Sequence, residues 1–259
     1  MLRHAILNPK DAIMMLESAY EVGQDSKHKF TRQIKPGQLK DCIERFFPNS
    51  NFSFEANNNL TLLRNYLNDY FEKLSSKDYP SKEKPYPIEY SVDDKSGLFL
   101  YALCKLVKPE KIVETGTAYG RSSAYILQAL HENQKGKLYS IDYVFRPWQT
   151  KQMIGSAIPP NLKNRWELVF GPSSEKLTGL LDSLGTIDIF FHDSLHTFKT
   201  MSFEFKKSWS HIKQDGFLLS DDATVNNAFY EFCVSRNVEP EFLLQEISEG
   251  SCLGIAQKR

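Results

Sequence analysis

From about residue 96 the sequence alternates between short apolar runs and longer segments with helical periodicity. KIVETG is followed by RSSAYILQALHE, KLYSIDY by WQTKQMIGSAI, and WELVFG by SSEKLTGLLDSL. IDIFFHD then precedes HTFKTMSFEFKKSWSHI, and GFLLSDD precedes NNAFYEFCVSR. Apolar runs of strand length, each followed by a helical pattern, imply a parallel sheet covered by helices on both faces. The last two runs, EFLLQEI and SCLGIAQK, have no helix between them and read as a hairpin across Ser248–Gly250. The expected fold is α/β: a doubly wound, mostly parallel seven-stranded sheet with an antiparallel C-terminal hairpin.

Residues 1–95 follow another regime. DAIMMLESAY and NLTLLRNYLNDYFEKL space apolar residues at helical intervals, and SSKDYPSKEKPYPIEY, rich in proline and lysine, reads as a loop. This part is expected to be a mainly helical extension that builds an acceptor pocket or an oligomer contact, ahead of a catalytic domain over 96–259. Lys+Arg and Asp+Glu both number 32, which argues against a nucleic-acid partner. The four cysteines lack CxxC spacing and suggest a reducing compartment. No run has the length of a membrane span and the N-terminus lacks a signal-peptide pattern, so a cytoplasmic location is expected.

Open α/β sheets bind ligands where strand order reverses, at the carboxyl ends of the strands. The first strand ends in ETGTAYGRS. Its glycines, at 116 and 120, fit neither GxGxxG nor a phosphate loop, which needs Lys-Ser/Thr after its last glycine. A plain tight turn and a ligand-cradling one are both compatible with it. Asp142 ends the second strand, about 20 residues beyond the glycine turn, where a carboxylate can accept from both ribose hydroxyls or simply be solvated. Ser173 and Ser174 follow the third strand and can cap a helix or touch an adenine edge. Asp193, Asp221 and Asp222 lie at two strand ends expected to be neighbours. Three close carboxylates repel unless a proton or cation compensates, and hard oxygen donors suit Mg²⁺, Ca²⁺ or Mn²⁺, although either of the last two can also cap a helix. His196, expected at a helix start beside them, is a candidate general base.

In this order, ETGTAYGRSS, SIDY, GPSSEKL, FFHDSLHTF and GFLLSDDA resemble the class I S-adenosylmethionine-dependent methyltransferases. Within them the pattern is most similar to the branch containing macrocin O-methyltransferase-like and cephalosporin hydroxylase-like proteins. The resemblance covers roughly residues 90 to 259 and implies a Rossmann-like sheet with S-adenosylmethionine as cofactor. It implies that the motif of Glu114, Gly116 and Gly120, with Thr117, Tyr119 and Ser122 inside it, holds the methionine part of the cofactor. Asp142 then binds the ribose, and Ser173 and Ser174 lie on the adenine side. Asp193, Asp221 and Asp222 match positions that hold a divalent metal in several relatives, Asp193 also counting as a cofactor contact. His196 matches the DxxH histidine. Ala118 stands where many methyltransferases have a second glycine, and Asp221-Asp222 departs from the Glu-Asp or Asp-Asn pairs of some metal-dependent relatives.

The expected activity is methyl transfer to a hydroxyl, less readily an amine, of a small specialised metabolite, with Mg²⁺ assisting and His196 and Asp193 as catalytic residues. Relatives with this pattern are often homo-oligomers. The loop YVFRPW (143–148) is a candidate lid whose Phe145, Arg146 and Trp148 could grip an acceptor or merely pack. The competing class keeps the cofactor fold but performs other chemistry or acts as a binding module. A nicotinamide oxidoreductase is disfavoured by the missing third glycine.

Overall fold

The computed structural model describes residues 9–50, 52–54, 57–246 and 250–259. Helices α1 (Pro9–Gln24), α2 (Leu39–Phe46), α3 (Asn58–Ser75) and α4 (Asp94–Val107) precede the sheet. Then follow β1 (Lys111–Thr115), α5 (Arg121–Asn133), β2 (Lys137–Asp142), β3 (Trp166–Phe170), α6 (Ser173–Leu184) and β4 (Ile187–His192). The chain closes with α7 (Phe198–Trp209), β5 (Ile212–Ser220), α8 (Ala228–Ser235), β6 (Glu241–Leu244) and β7 (Cys252–Gln257). The strand order is β3-β2-β1-β4-β5-β7-β6. Strands β1 to β5 are parallel, and β7 runs antiparallel between β5 and β6. This is the expected seven-stranded, doubly wound sheet with its C-terminal hairpin. Residues 248 and 249 of the expected hairpin turn, and residues 1–8 of the N-terminus, lie outside the described residues.

Successive residues of a strand point to opposite faces. Ile112, Ile189 and Phe191 therefore join one apolar cluster with α2 to α5, while Val113, Phe190 and Leu218 join another with α6 to α8. β4 is buried along its whole length, as a central parallel strand must be. Order reverses between β1 and β4, which makes their carboxyl ends the switch point.

Helix α3 buries Leu60, Leu63, Leu67, Phe71 and Leu74, a stripe at three- and four-residue spacing. These side chains lie in the same cluster as Ile112 and Ile189. The first turn of α4 begins at Asp94 and is capped by Asp93, whose Oδ1 accepts from the Ser96 amide at 2.7 Å. Position 95, expected as a domain boundary, thus lies in the first turn of a helix packed against the sheet.

The helix expected over WQTKQMIGSAI does not form; one 3₁₀ turn, Lys151–Met153, is all that remains. Gly155 adopts φ +68°, and the segment spends its amides elsewhere. Gly155 N donates to the Ala118 carbonyl at 2.9 Å and Ala157 N to the Tyr119 carbonyl at 2.8 Å. The segment is a clamp on the glycine turn. Among the described residues no helix is long and apolar enough to cross a membrane, and the four cysteines are buried free thiols.

Candidate active site

Ladder hydrogen bonds continue one residue past the strand ends. Gly116 N donates to the Ile141 carbonyl at 2.9 Å, Asp193 N to Thr115 at 2.8 Å, and Asp221 N to His192 at 2.8 Å. Asp142, Gly116, Asp193 and Asp221 therefore stand in a row along the carboxyl edge. The sheet brings together residues as distant in sequence as Gly116 and Asp221, which the sequence only suggested were neighbours.

Gly116 carries φ +79°, and a Cβ there would lie 1.8 Å from the Asp193 carbonyl oxygen. Gly120 carries φ +89°, and its Cβ would meet Ile158 at 2.8 Å. Both glycines are required by close backbone approach as well as by conformation. Ala118 holds φ +45°, so the position where many methyltransferases carry glycine keeps the left-handed conformation with an alanine.

Two buried carboxylates brace this edge, one on each face. Glu114 accepts from Ser122 Oγ at 2.7 Å, Ser123 Oγ at 2.6 Å and Ser140 Oγ at 2.7 Å. Its burial pushes its carboxyl pKa up, against those hydroxyls. Glu114 and Ser122 are thus engaged with each other and tie β1 and β2 to α5; their side chains scaffold the turn. On the opposite face Glu204 of α7 accepts from Thr115 Oγ1 at 2.5 Å and Ser194 Oγ at 2.9 Å, and pairs with His192 Nδ1 at 2.6 Å. Burial opposes ionisation, but His192 and the hydroxyl donors, Ser173 among them, hold the Glu204 carboxyl below its usual value. Sequence reasoning missed Glu204 and His192. The one available signal was an acidic residue among the apolar positions of FKTMSFEFKKSW.

Asp142 Oδ2 accepts from the amides of Thr117 and Ala118 at 2.9 and 2.8 Å, and Oδ1 from Tyr143 N at 2.6 Å. Burial pushes its carboxyl up to about 6 despite these amides. Thr117 is 5% exposed and its Oγ1 has no partner among the described residues. Tyr86 Oη is likewise buried and without a partner among the described residues. Buried polar atoms are normally satisfied, so a polar ligand at this edge has donors and acceptors waiting for it. Tyr119 is placed otherwise than expected. Its side chain is fully buried against Tyr70, Phe71 and Tyr86, and its hydroxyl donates to the Tyr86 carbonyl at 2.8 Å. Ser173 and Ser174 occupy the first turn of α6, Ser173 reaching Glu204 and Ser174 exposed.

The acidic cluster is also rearranged. Asp193, His196 and Asp221 offer ligand atoms within 4.8 Å of one another. Asp222, in a left-handed conformation, instead accepts from Ser251 Oγ and faces His196 Nδ1 at 3.5 Å. His196 does not start a helix. Thr197 caps α7 with its side chain, leaving His196 in the preceding loop with Nε2 buried, without a hydrogen-bond partner among the described residues, and 3.8 Å from Asp193 Oδ1. Burial, and then the neighbouring His192, push His196 down to about 4, so its imidazole is neutral at physiological pH. Burial, and then Asp221, hold the Asp193 carboxyl well above its usual value. Burial and Asp222 push Asp221 up to about 7. Hard oxygens with one imidazole form a donor set that a small divalent cation fits.

Helix α1 lies across this edge. Near its start Lys10 pairs with Glu175 at 2.8 Å and Asp11 accepts from Tyr143 Oη at 2.7 Å. Near its end Glu21 accepts from Thr197 Oγ1 at 2.8 Å and Thr200 Oγ1 at 3.0 Å, and pairs with Lys199 at 2.7 Å. Asp25 then accepts from the Phe198 amide at 3.0 Å and from Asn226 Nδ2 at 3.0 Å. The loop after Asp142 packs on itself, with Arg146 over the rings of Phe145 and Trp148 at 5.4 and 5.7 Å.

Sheet order, glycine turn and strand-end carboxylates together define the class I methyltransferase fold. Residues 113–223 match the family model described as a methyltransferase domain. An O-methyltransferase from Bacillus cereus, solved with S-adenosylhomocysteine, superposes with TM-score 0.59 at 14% identity, over 86% of this chain and 100% of its own. A Podospora anserina methyltransferase bound to the same compound gives 0.55 at 14% identity, over 88% and 100%. The O-methyltransferase TomG of tomaymycin synthesis, from Streptomyces achromogenes and bound to S-adenosylmethionine, gives 0.55 at 14% identity, over 84% and 96%. Among curated proteins none matches the chain.

Proposed function

We propose that this protein is an S-adenosylmethionine-dependent methyltransferase acting on a hydroxyl of a small molecule. The observation that carries the reading is the row Asp142–Gly116–Asp193–Asp221 at the switch point, beside the buried Thr117 hydroxyl that has no partner among the described residues. The methyltransferase-domain match over the same residues supports it. Bound there, the cofactor supplies a sulfonium methyl group as electrophile. The chain's part is to align an acceptor oxygen, exclude water and take up its proton.

Asp142 is suited to the ribose, and the amides and hydroxyl of the turn at Thr117 to the methionine end. Helix α1, fastened at Tyr143 and at Thr197, covers the edge from water. Asp193 and Asp221 are suited to hold Mg²⁺, which would supply charge to stabilise the ionised acceptor oxygen. His196 is neutral and can act either as the third donor to that ion or as the base that takes the acceptor proton at Nε2. The two uses compete for one nitrogen. In His196→Ala, loss of Mn²⁺ binding marks a ligand, whereas loss of turnover with Mn²⁺ binding retained marks a base.

The test of the reading is calorimetric titration with S-adenosylhomocysteine, with NAD as control, followed by mass analysis of hydroxylated acceptors incubated with S-adenosylmethionine. Selective binding and a gain of one methyl mass are expected. Binding without any methylated product across phenolic, sugar and macrolide acceptors favours a binding module on the same fold.

The charge on Asp142 gives this binding a pH dependence. A carboxyl raised to about 6 keeps its proton in the folded protein over a range where the unfolded chain, near 3.8, has lost it. Its contribution to folding is therefore full below the unfolded value and is lost as pH rises through about 6. Ribose binding has the opposite sign, because only the ionised carboxylate accepts from both hydroxyls. S-adenosylhomocysteine affinity is expected to fall about tenfold between about pH 7.5 and about pH 5. Asp142→Asn is expected to bind weakly with a flat profile over that range.

A further inference from the structure

Tyr86 belongs to the proline-rich segment between α3 and α4, which the sequence marks only as a loop. It is 6% exposed, and its hydroxyl has no hydrogen-bond partner among the described residues. The residue is nevertheless held tightly. Its amide donates to Tyr119 Oη at 3.1 Å, and its carbonyl accepts from the same oxygen at 2.8 Å. The two rings meet edge to face with centroids 5.3 Å apart. Tyr119 lies in the glycine turn, and the Ala157 amide fixes its carbonyl at 2.8 Å. The clamp therefore fixes Tyr86 relative to the turn, while its own hydroxyl is left unspent. Asp142 Oδ2 accepts from the amides of Thr117 and Ala118, the two residues before Tyr119, so the turn that holds Tyr86 also holds the carboxylate, and after burial itself the Asp142 charge is the largest influence raising the pKa of the Tyr86 hydroxyl.

Leaving a buried hydroxyl unsatisfied costs about 1–3 kcal/mol unless a partner arrives. The chemistry of the neighbours selects the partner. Ionised Asp142 only accepts hydrogen bonds, and a tyrosine hydroxyl can donate one. A vicinal diol satisfies both at once: each of its hydroxyls donates to the carboxylate and keeps lone pairs for the tyrosine O–H. We infer that Tyr86 Oη is a cofactor-binding donor, directed at the ribose hydroxyls of the nucleoside held by Asp142. This rests on the proposed cofactor reading and adds a contact from the N-terminal segment, outside the matched methyltransferase domain. Tyr86 and Tyr119 then work as a pair. Tyr119 is the strut that sets the height of Tyr86 over the turn, and Tyr86 is the side chain that touches the ligand.

The test compares wild type with Tyr86→Phe, which keeps the ring and its packing and deletes one oxygen. Calorimetric titration with S-adenosylhomocysteine is expected to show about tenfold weaker binding in the variant, with a thermal midpoint of the free protein no lower than that of wild type, since the unsatisfied hydroxyl is gone. A competing titration uses adenosine and 2′,3′-dideoxyadenosine. The variant is expected to lose affinity for adenosine and to match wild type on the dideoxy compound, which has no ribose hydroxyls. Equal affinity of the two proteins for S-adenosylhomocysteine overturns the inference, as does an equal loss on both nucleosides. A lowered thermal midpoint with unchanged affinity also overturns it, by marking the hydroxyl as the holder of a structural water. If wild type binds no S-adenosylhomocysteine, the cofactor reading itself fails, a result distinct from a wild type that binds and a variant that binds equally.

Discussion

Gly116→Ala is expected to lower the thermal midpoint by about 10 °C and to abolish binding of S-adenosylhomocysteine. A Cβ at this position falls 1.8 Å from the Asp193 carbonyl oxygen, a backbone atom that no rotamer change can move aside. The φ of +79° adds conformational strain. Together these cost about 3 kcal/mol or more, which is about 10 °C for a chain of this size. The displacement falls between β1 and β4, at the switch point, so binding suffers beyond the loss of stability. Gly179→Ala is the control. It lies within α6 with nothing within 4 Å of the added Cβ, and the change is expected to be neutral or slightly stabilising. Scanning calorimetry with and without S-adenosylhomocysteine reads both variants. A Gly116→Ala protein that melts and binds like wild type would show that the turn does not carry the site.

Millimolar Mg²⁺ or Mn²⁺ is expected to raise the melting temperature of wild type by several degrees and to leave Asp221→Asn unchanged. Asp193 and Asp221 lie in one cluster with His196, and Asp221, after burial itself, is the largest influence raising the cost of ionising Asp193. A divalent ion removes that repulsion, and a ligand present at about 100 times its dissociation constant adds about 2.7 kcal/mol of stability. Asp221→Asn removes the like charge without changing the shape of the side chain. The variant is expected to be at least as stable as cation-free wild type and to lose methyl transfer. Thermal melts across a Mn²⁺ series, with EDTA as reference, decide the matter. A wild type indifferent to both ions at millimolar concentration would leave the carboxyl pair to share a proton instead, and would sink the cation assignment.

Much of this site can be traced from the chain itself. Runs such as KIVETG and IDIFFH are too short and too apolar for exposed helices, and the segments after them repeat at 3.6 residues. Local pattern of this kind fixes strand and helix, and strict alternation fixes parallel pairing, so the switch point and its flanking residues could be named. Gly116, Asp142 and Asp193 stand where that reasoning put them.

Where side chains point away from the turn, the cause is shared. Tyr119, Glu114 and Ser122 are next to the turn in sequence, but adjacency does not say where a side chain points. Strand parity turned Glu114 toward Ser122, Ser123 and Ser140, and the aromatic cluster of α3 drew Tyr119 inward. WQTKQMIGSAI gave up its helix because its amides satisfy the carbonyls of Ala118 and Tyr119, partners more than 30 residues upstream.

What the sequence by itself determined is therefore the fold and the edge at which chemistry can occur, since periodicity and glycine placement act through local backbone geometry. Which polar groups face that edge was decided only by tertiary structure. Glu204 reaches Thr115 across 89 residues, Asp11 holds Tyr143 across 132, and Thr197 donates to Glu21 across 176. Contacts at such separations depend on how the layers pack: burial makes each polar atom find a partner, and that partner is wherever packing has brought one within reach.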